Sequence, residues 1–179
     1  MCEDYNYIDK YDEIIEYIGT KSNISFMDSV LQRLIFDERT GNMSIVDYLR
    51  KQQTIYMNCM NVSDTCIQID DTSKLLTSIK MICLSCLVFL KHETGRDVKE
   101  IMYSIRDLFI RKNSDYGNSF EDFSLVGILV RMNDKINRLK CLYSKTEHLV
   151  KDESIIDTIE DLYNYSVISM MYGSTVLTE

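Results

Sequence analysis

Residues Arg111–Tyr165 read RKNSDYGNSFEDFSLVGILVRMNDKINRLKCLYSKTEHLVKDESIIDTIEDLYNY. The stretch begins at a basic helix end and enters a tight turn at Asp115-Tyr116-Gly117. A helix follows that carries Arg131, Asp134, Lys135 and Arg138. At about 100° per residue these four fall within roughly 100° of one face. Ile128, Met132, Ile136 and Leu139 make the adjacent apolar stripe. After a polar connection a second helix carries Glu153, Asp157, Asp161 and Asn164, within roughly 80° of one face. Ile155, Ile159, Leu162, Val167 and Met170 occupy its other side. Both helices therefore bury one face and bring charged faces together at the edge of the core.

Charges of both signs at this spacing suit a cation and a phosphate. Mg²⁺ takes oxygen ligands, commonly one or two carboxylates plus substrate phosphates. Arg and Lys hold phosphate oxygens. The expected metal ligands are Asp134, Glu153, Asp157 and Asp161. The expected ligand-binding residues are Lys112, Asp115, Tyr116, Arg131, Lys135, Arg138 and Asn164. Asp134, Asp157 and Asp161 are the expected catalytic carboxylates. Water activated by the cation is the expected nucleophile, since no Ser-His-Asp or Cys-His arrangement competes. A row of carboxylates is also the signature of a solvated helix face with ion pairs. The two readings differ over Asp161. A metal ligand among like charges gains stability or loses none on neutralisation; a member of a buried ion pair loses it.

These residues carry a resemblance. Residues 101–172 resemble the nucleotide-modification-associated domain found largely in phage and bacterial proteins. It runs through Lys112, Asp115-Tyr116-Gly117, Ser119, Leu129, Arg131, Asp134-Lys135, Arg138-Leu139, Lys151, Glu153-Ser154, Asp157-Thr158, Asp161-Leu162 and Asn164-Tyr165. It implies an all-helical domain linked to nucleotide or modified-base metabolism. The arrangement is also similar to the all-α NTP pyrophosphatases, the MazG and dimeric dUTPase group. There, paired helices hold Mg²⁺ over a nucleotide's phosphates with Glu-x-x-Glu followed by Glu-x-x-Asp. This chain departs from that pattern. Its first helix offers Asp134 alone, and Thr158 stands at the second motif's Glu, with Asp157 one residue earlier.

Working outward, the chain has 179 residues, 45% of them hydrophobic, with no Pro and only 6 Gly. Few helix breakers and few alternating runs predict an all-α fold. Tyr5–Ile18, Ser25–Phe36, Ile45–Asn58, Ser73–His92 and Asp97–Asn113 show helical spacing ahead of the two helices above. Gly19 and Gly95 end two of these helices, and Ser44 caps a third. Ser119 with Asp122 resembles a capping box. Cys66–Asp70 alternates but is short, and 61–72 reads as a connection between halves. The expected organisation is about seven helices: an N-terminal helical layer over 1–72, and a four-helix domain over 73–179. The layer packs on that domain or offers a face for a homo-oligomer.

The formal charge of −8 argues against general nucleic-acid binding and against an anionic membrane surface. The apolar run Met81–Leu90 is too short to span a bilayer. The acidic, polar N-terminus and the scattered 6 Cys suggest a reducing cytoplasm. Cys83-x-x-Cys86 lies inside an apolar helix without the further ligands zinc needs. Three functions stay open: a Mg²⁺-dependent nucleotide phosphohydrolase, a nucleotide-binding or sequestering module without turnover, and a helical interaction protein.

Overall fold

The computed structural model describes residues 7–36, 43–62, 66–116, 124–144 and 154–176. Its organising element is α4 (Thr72–Thr94), apolar on most sides. Ile79, Ile82, Cys83, Cys86, Leu87 and Leu90 are all fully buried. A helix buried all round needs neighbours on every side. Here these are α1 (Tyr7–Ile18), α2 (Lys21–Leu31), α3 (Ile45–Met57), α5 (Val98–Tyr116) and α7 (Ile155–Val176). α6 (Ser124–Ser144) packs on α7 and α3. α4 is long and apolar enough to cross a membrane by length and composition, but 67% of its apolar window is buried inside the protein.

The fold is an all-α helical bundle, with seven α-helices among the described residues. Asp71 caps α4, its side chain accepting from Lys74 N. Gly95 ends it at φ +67°, a left-handed conformation that glycine adopts without a Cβ clash. Ser44 caps α3 in a reciprocal capping box with Asp47. Gly19 follows α1 without a left-handed φ. What that position demands is closeness, because a Cβ there would meet Met102 Cε at 2.5 Å.

Three expectations from the sequence are corrected. The segment 61–72 is more than a connection. Met60–Val62 (β1) and Ile67–Ile69 (β2) pair antiparallel in a two-stranded hairpin between α3 and α4. The second helix starts earlier, at Lys21, and leaves α-geometry at Gln32 for a π-helical turn through Phe36. α5 runs through Asp115 and Tyr116, so these two end a helix and do not form a turn. Gly117 and the Ser119–Asp122 pair lie outside the described residues.

Long-range contacts fix the helix directions. Gly173, near the end of α7, abuts Leu76, near the start of α4. Glu160, near the start of α7, meets Arg96, just past the end of α4, at 3.5 Å. The two helices are therefore antiparallel. α1 and α5 run antiparallel likewise: Tyr11 stacks on Phe109, Asp12 binds Arg106 through two hydrogen bonds, and Glu16 accepts from Tyr103. The helices of the N-terminal region thus share one core with those that follow.

Candidate functional site

A cleft of about 360 Å³ opens between α5 and α7. The same helical offsets build both walls. On α5, Ile105, Leu108, Phe109 and Lys112 stand at i, i+3, i+4 and i+7. On α7, Asp157, Glu160, Asp161 and Asn164 stand at the same offsets. Residues so spaced share one helix face. An apolar strip ending in one lysine therefore faces a strip of three carboxylates and an amide.

Each polar group has a defined setting. Asp161 lies between two lysines: Lys135 Nζ from α6 at 2.6 Å and Lys112 Nζ from α5 at 3.5 Å. Asp157 closes the N-terminus of α7. Its Oδ2 accepts from the Ser154 backbone N–H at 2.9 Å and from the Ser154 hydroxyl at 2.7 Å, while Asp157 N donates back to Ser154 Oγ. The Ser154 backbone N–H, then its hydroxyl, hold the Asp157 carboxyl below its ordinary value of 3.8. Burial chiefly pushes Glu160 above its ordinary 4.5, opposed by Arg96 and reinforced by the charges of Asp157 and Asp161. Asn164 Oδ1 accepts from the Tyr11 hydroxyl at 2.8 Å.

Of the residues expected from sequence, Lys112, Asp157, Asp161 and Asn164 line the cleft, and Lys135 reaches it through Asp161. Asp134 does not line it. It is exposed on α6, and its charge is felt by Tyr56 of α3. One residue along a helix is about 100° of rotation, so with Lys135 turned to Asp161, Asp134 is turned away. Arg131 and Asp115 are exposed, and Arg138 is half-buried on α6. Glu153 and the Tyr116 side chain lie outside the described residues. Among the described residues no three His, Cys, Asp or Glu side chains are gathered as a ready-made metal site.

Sequence reasoning missed Glu160, Arg96, Tyr11 and the cleft-facing role of the α5 apolar strip. Glu160 was findable, because it stands three residues after Asp157 on the same face. Arg96 and Tyr11 arrive from distant parts of the chain and leave no local signal.

Chemically, the carboxylate wall attracts a cation. It repels a lone phosphate unless positive charge intervenes. The apolar strip, which includes the Phe109 ring, offers a planar partner an apolar face, with Lys112 at its end.

No curated protein and no solved structure matches the chain. A family model does, over residues 112–172, from the last turn of α5 through α6 to α7. The match takes in Lys112, Lys135 and the whole α7 wall, and leaves out Tyr11, Arg96 and the apolar strip of α5. The family that residues 112–172 match is described as nucleotide modification associated domain 1.

Proposed function

We propose that the α5–α7 cleft binds a nucleotide together with Mg²⁺, and that the protein processes nucleotides as a phosphohydrolase. The observation that carries this reading is the pairing of two i, i+3, i+4, i+7 faces, one apolar and ending in Lys112, the other acidic. A planar base fits the strip of Ile105, Leu108 and Phe109. A phosphate chain fits only with a cation beside Asp157, Glu160 and Asp161. The cleft volume of about 360 Å³ lies within the usual range for small-molecule sites.

The donor set suits a hard cation, because all three carboxylates offer oxygen and the wall contains no sulfur or imidazole. Mg²⁺ keeps several waters and needs only one or two carboxylates, so a site without three gathered ligands fits it. When bound, Mg²⁺ neutralises phosphate charge and lowers the pKa of a coordinated water. The protein's own residues do the rest. Asp161 would hold the cation through its carboxylate oxygens, and Lys112 and Lys135, which now meet Asp161, would turn to phosphate oxygens. Lys112 suits that exchange because its side chain is 54% exposed.

One observation favours binding without turnover. Asp157 is committed to the helix cap, Asp161 to Lys135 and Glu160 to Arg96, so each carboxylate of the wall already has a partner.

The test is calorimetric titration of a nucleotide panel with and without Mg²⁺, alongside chromatographic detection of products. Binding that requires Mg²⁺ is the expected result, with release of phosphate or pyrophosphate. Lys112→Ala is expected to lose about tenfold in nucleotide affinity, as for a charge-assisted contact. Binding without product defines the sequestering module. Absence of nucleotide binding under every condition rejects the reading.

A further inference from the structure

We propose that Tyr11, on a helix outside the matched segment, is a positioning residue of the cleft: its hydroxyl holds the Asn164 amide with the N–H₂ group turned to the ligand. The site then favours nucleotides whose base presents a carbonyl acceptor over those presenting an amino donor. This rests on the nucleotide reading of the same cleft.

Three observations converge on Tyr11. It is wholly buried. Its ring stacks on Phe109, with centroids 4.8 Å apart and planes 13° apart. Its hydroxyl donates to Asn164 Oδ1 at 2.8 Å. One residue therefore backs both an apolar and a polar element of the cleft lining.

The orientation of the amide follows from proton bookkeeping. Burial pushes the Tyr11 phenol far above its ordinary value of 10.0, so it stays protonated. A buried O–H needs an acceptor. The Asn164 carbonyl oxygen supplies one, and the opposite end of the amide is two N–H donors with no acceptor. Asn164 and Phe109 both line the cleft, and with the amide oxygen committed to Tyr11 the group that Asn164 has left to offer a ligand is the N–H₂ donor. A base edge with an oxo group satisfies that donor. A base edge with an amino group sets donor against donor, which leaves both unpaired in a partly dry site.

The experiment compares Kd values for two pairs of nucleoside triphosphates in the presence of Mg²⁺: uridine against cytidine, and inosine against adenosine. Within each pair the principal change is oxo for amino at one ring position. Wild type is expected to prefer the oxo member by about tenfold, one hydrogen bond's worth of discrimination. Tyr11→Phe keeps the stacked ring and removes the hydroxyl, freeing the amide to rotate. The preference is expected to fall to within about twofold. Affinity for ribose 5-phosphate, which has no base, is expected to be unchanged. A merely structural role would lower all ligands together. Asn164→Ser, tested in parallel, is expected to abolish the preference with Tyr11 intact, so the proposal stays testable if Tyr11→Phe fails to fold. Equal wild-type affinity within each pair overturns the inference and leaves the nucleotide site standing, as does a preference that survives both substitutions. No nucleotide binding by wild type overturns both.

Discussion

Lys135 Nζ lies 2.6 Å from Asp161 Oδ2, with only 20% and 24% of the two side chains exposed. This pair ties α6 to α7 at the edge of the core. Asp161 is therefore not surrounded by like charge alone, and the sign of its mutation reverses relative to a simple metal-ligand reading. Asp161→Asn is expected to destabilise the protein by about 1–3 kcal/mol, because a close ion pair between two poorly solvated side chains is lost. Equilibrium denaturation without ligand measures that cost. The same variant is expected to lose Mg²⁺-dependent nucleotide binding. A stability loss with ligand response intact would confine Asp161 to holding the helices together.

Ser154 and Asp157 cap α7 reciprocally. Ser154→Ala is expected to cost about 1 kcal/mol at neutral pH, as for other caps of this type. The pH dependence follows from the lowered Asp157 pKa. A carboxyl with a depressed folded value contributes stability above its unfolded value, and loses it as pH falls through the folded one. The gap between wild type and Ser154→Ala is therefore expected to close as pH falls below about 3.8. A gap unchanged by acid would mean that the Asp157 charge contributes nothing to the cap.

The legible and illegible parts of this chain divide by range. Helical spacing located seven helices, because an amphipathic face repeats locally in every turn. α4 stood out as the core helix for the same reason, and Ser44 and Gly95 announced their ends. The hairpin leaves only the short alternation at Cys66–Asp70 in the sequence, because each strand has three residues, too few to establish a period. Its register, Met60 opposite Ile69, belongs to the pair and to neither strand alone. The members of the carboxylate row have different partners: Asp157 caps α7, Asp161 pairs with Lys135 and Glu160 with Arg96. Ser154-x-x-Asp157 repeats the Ser44-x-x-Asp47 cap, so that signal was present, but the metal reading competed for the same aspartate. Asp134 and Lys135 share one broad face by spacing, yet a single step of about 100° separates their directions. Tyr11 stands 153 positions from Asn164, and no local pattern reaches that far.

Glu160 provides a second pH test of opposite sign. Its side chain is only 21% exposed, and burial raises its pKa. An acid with a raised folded value is easier to accommodate protonated. Its relative contribution is full below the ordinary value of 4.5, and is lost as pH rises through the higher folded value. Glu160→Gln is therefore expected to leave stability at pH 7 equal or slightly higher, with the difference vanishing below about 4.5. The proposed Mg²⁺ site requires Glu160 without its proton, so on that reading wild-type Mg²⁺ affinity is expected to fall as pH drops into the window just above 4.5. Calorimetric titration across that range checks this. A flat profile, or a Glu160→Gln variant that binds Mg²⁺ and nucleotide like wild type, would remove Glu160 from the site.

Two buried tyrosines near the centre of the bundle make opposite predictions for the same substitution. Tyr11 Oη donates to Asn164. Tyr163 is equally buried on α7, but its Oη has no hydrogen-bond partner among the described residues. Its surroundings include Cys83 and Cys86 of α4, and burial drives its phenol far above the ordinary value. A hydroxyl that leaves water without gaining a partner opposes folding, whereas a satisfied one contributes about 0.5–1.5 kcal/mol. Tyr163→Phe keeps the ring and its packing, so it is expected to raise stability by up to about 1 kcal/mol. Tyr11→Phe is expected to lower it by about 1 kcal/mol, through the lost bond to Asn164. Urea unfolding of both variants at matched m-values gives the two signs directly. A loss of more than about 1 kcal/mol in Tyr163→Phe would show that its hydroxyl is satisfied by a buried water. The core beside the cysteines would then be a polar, hydrated pocket.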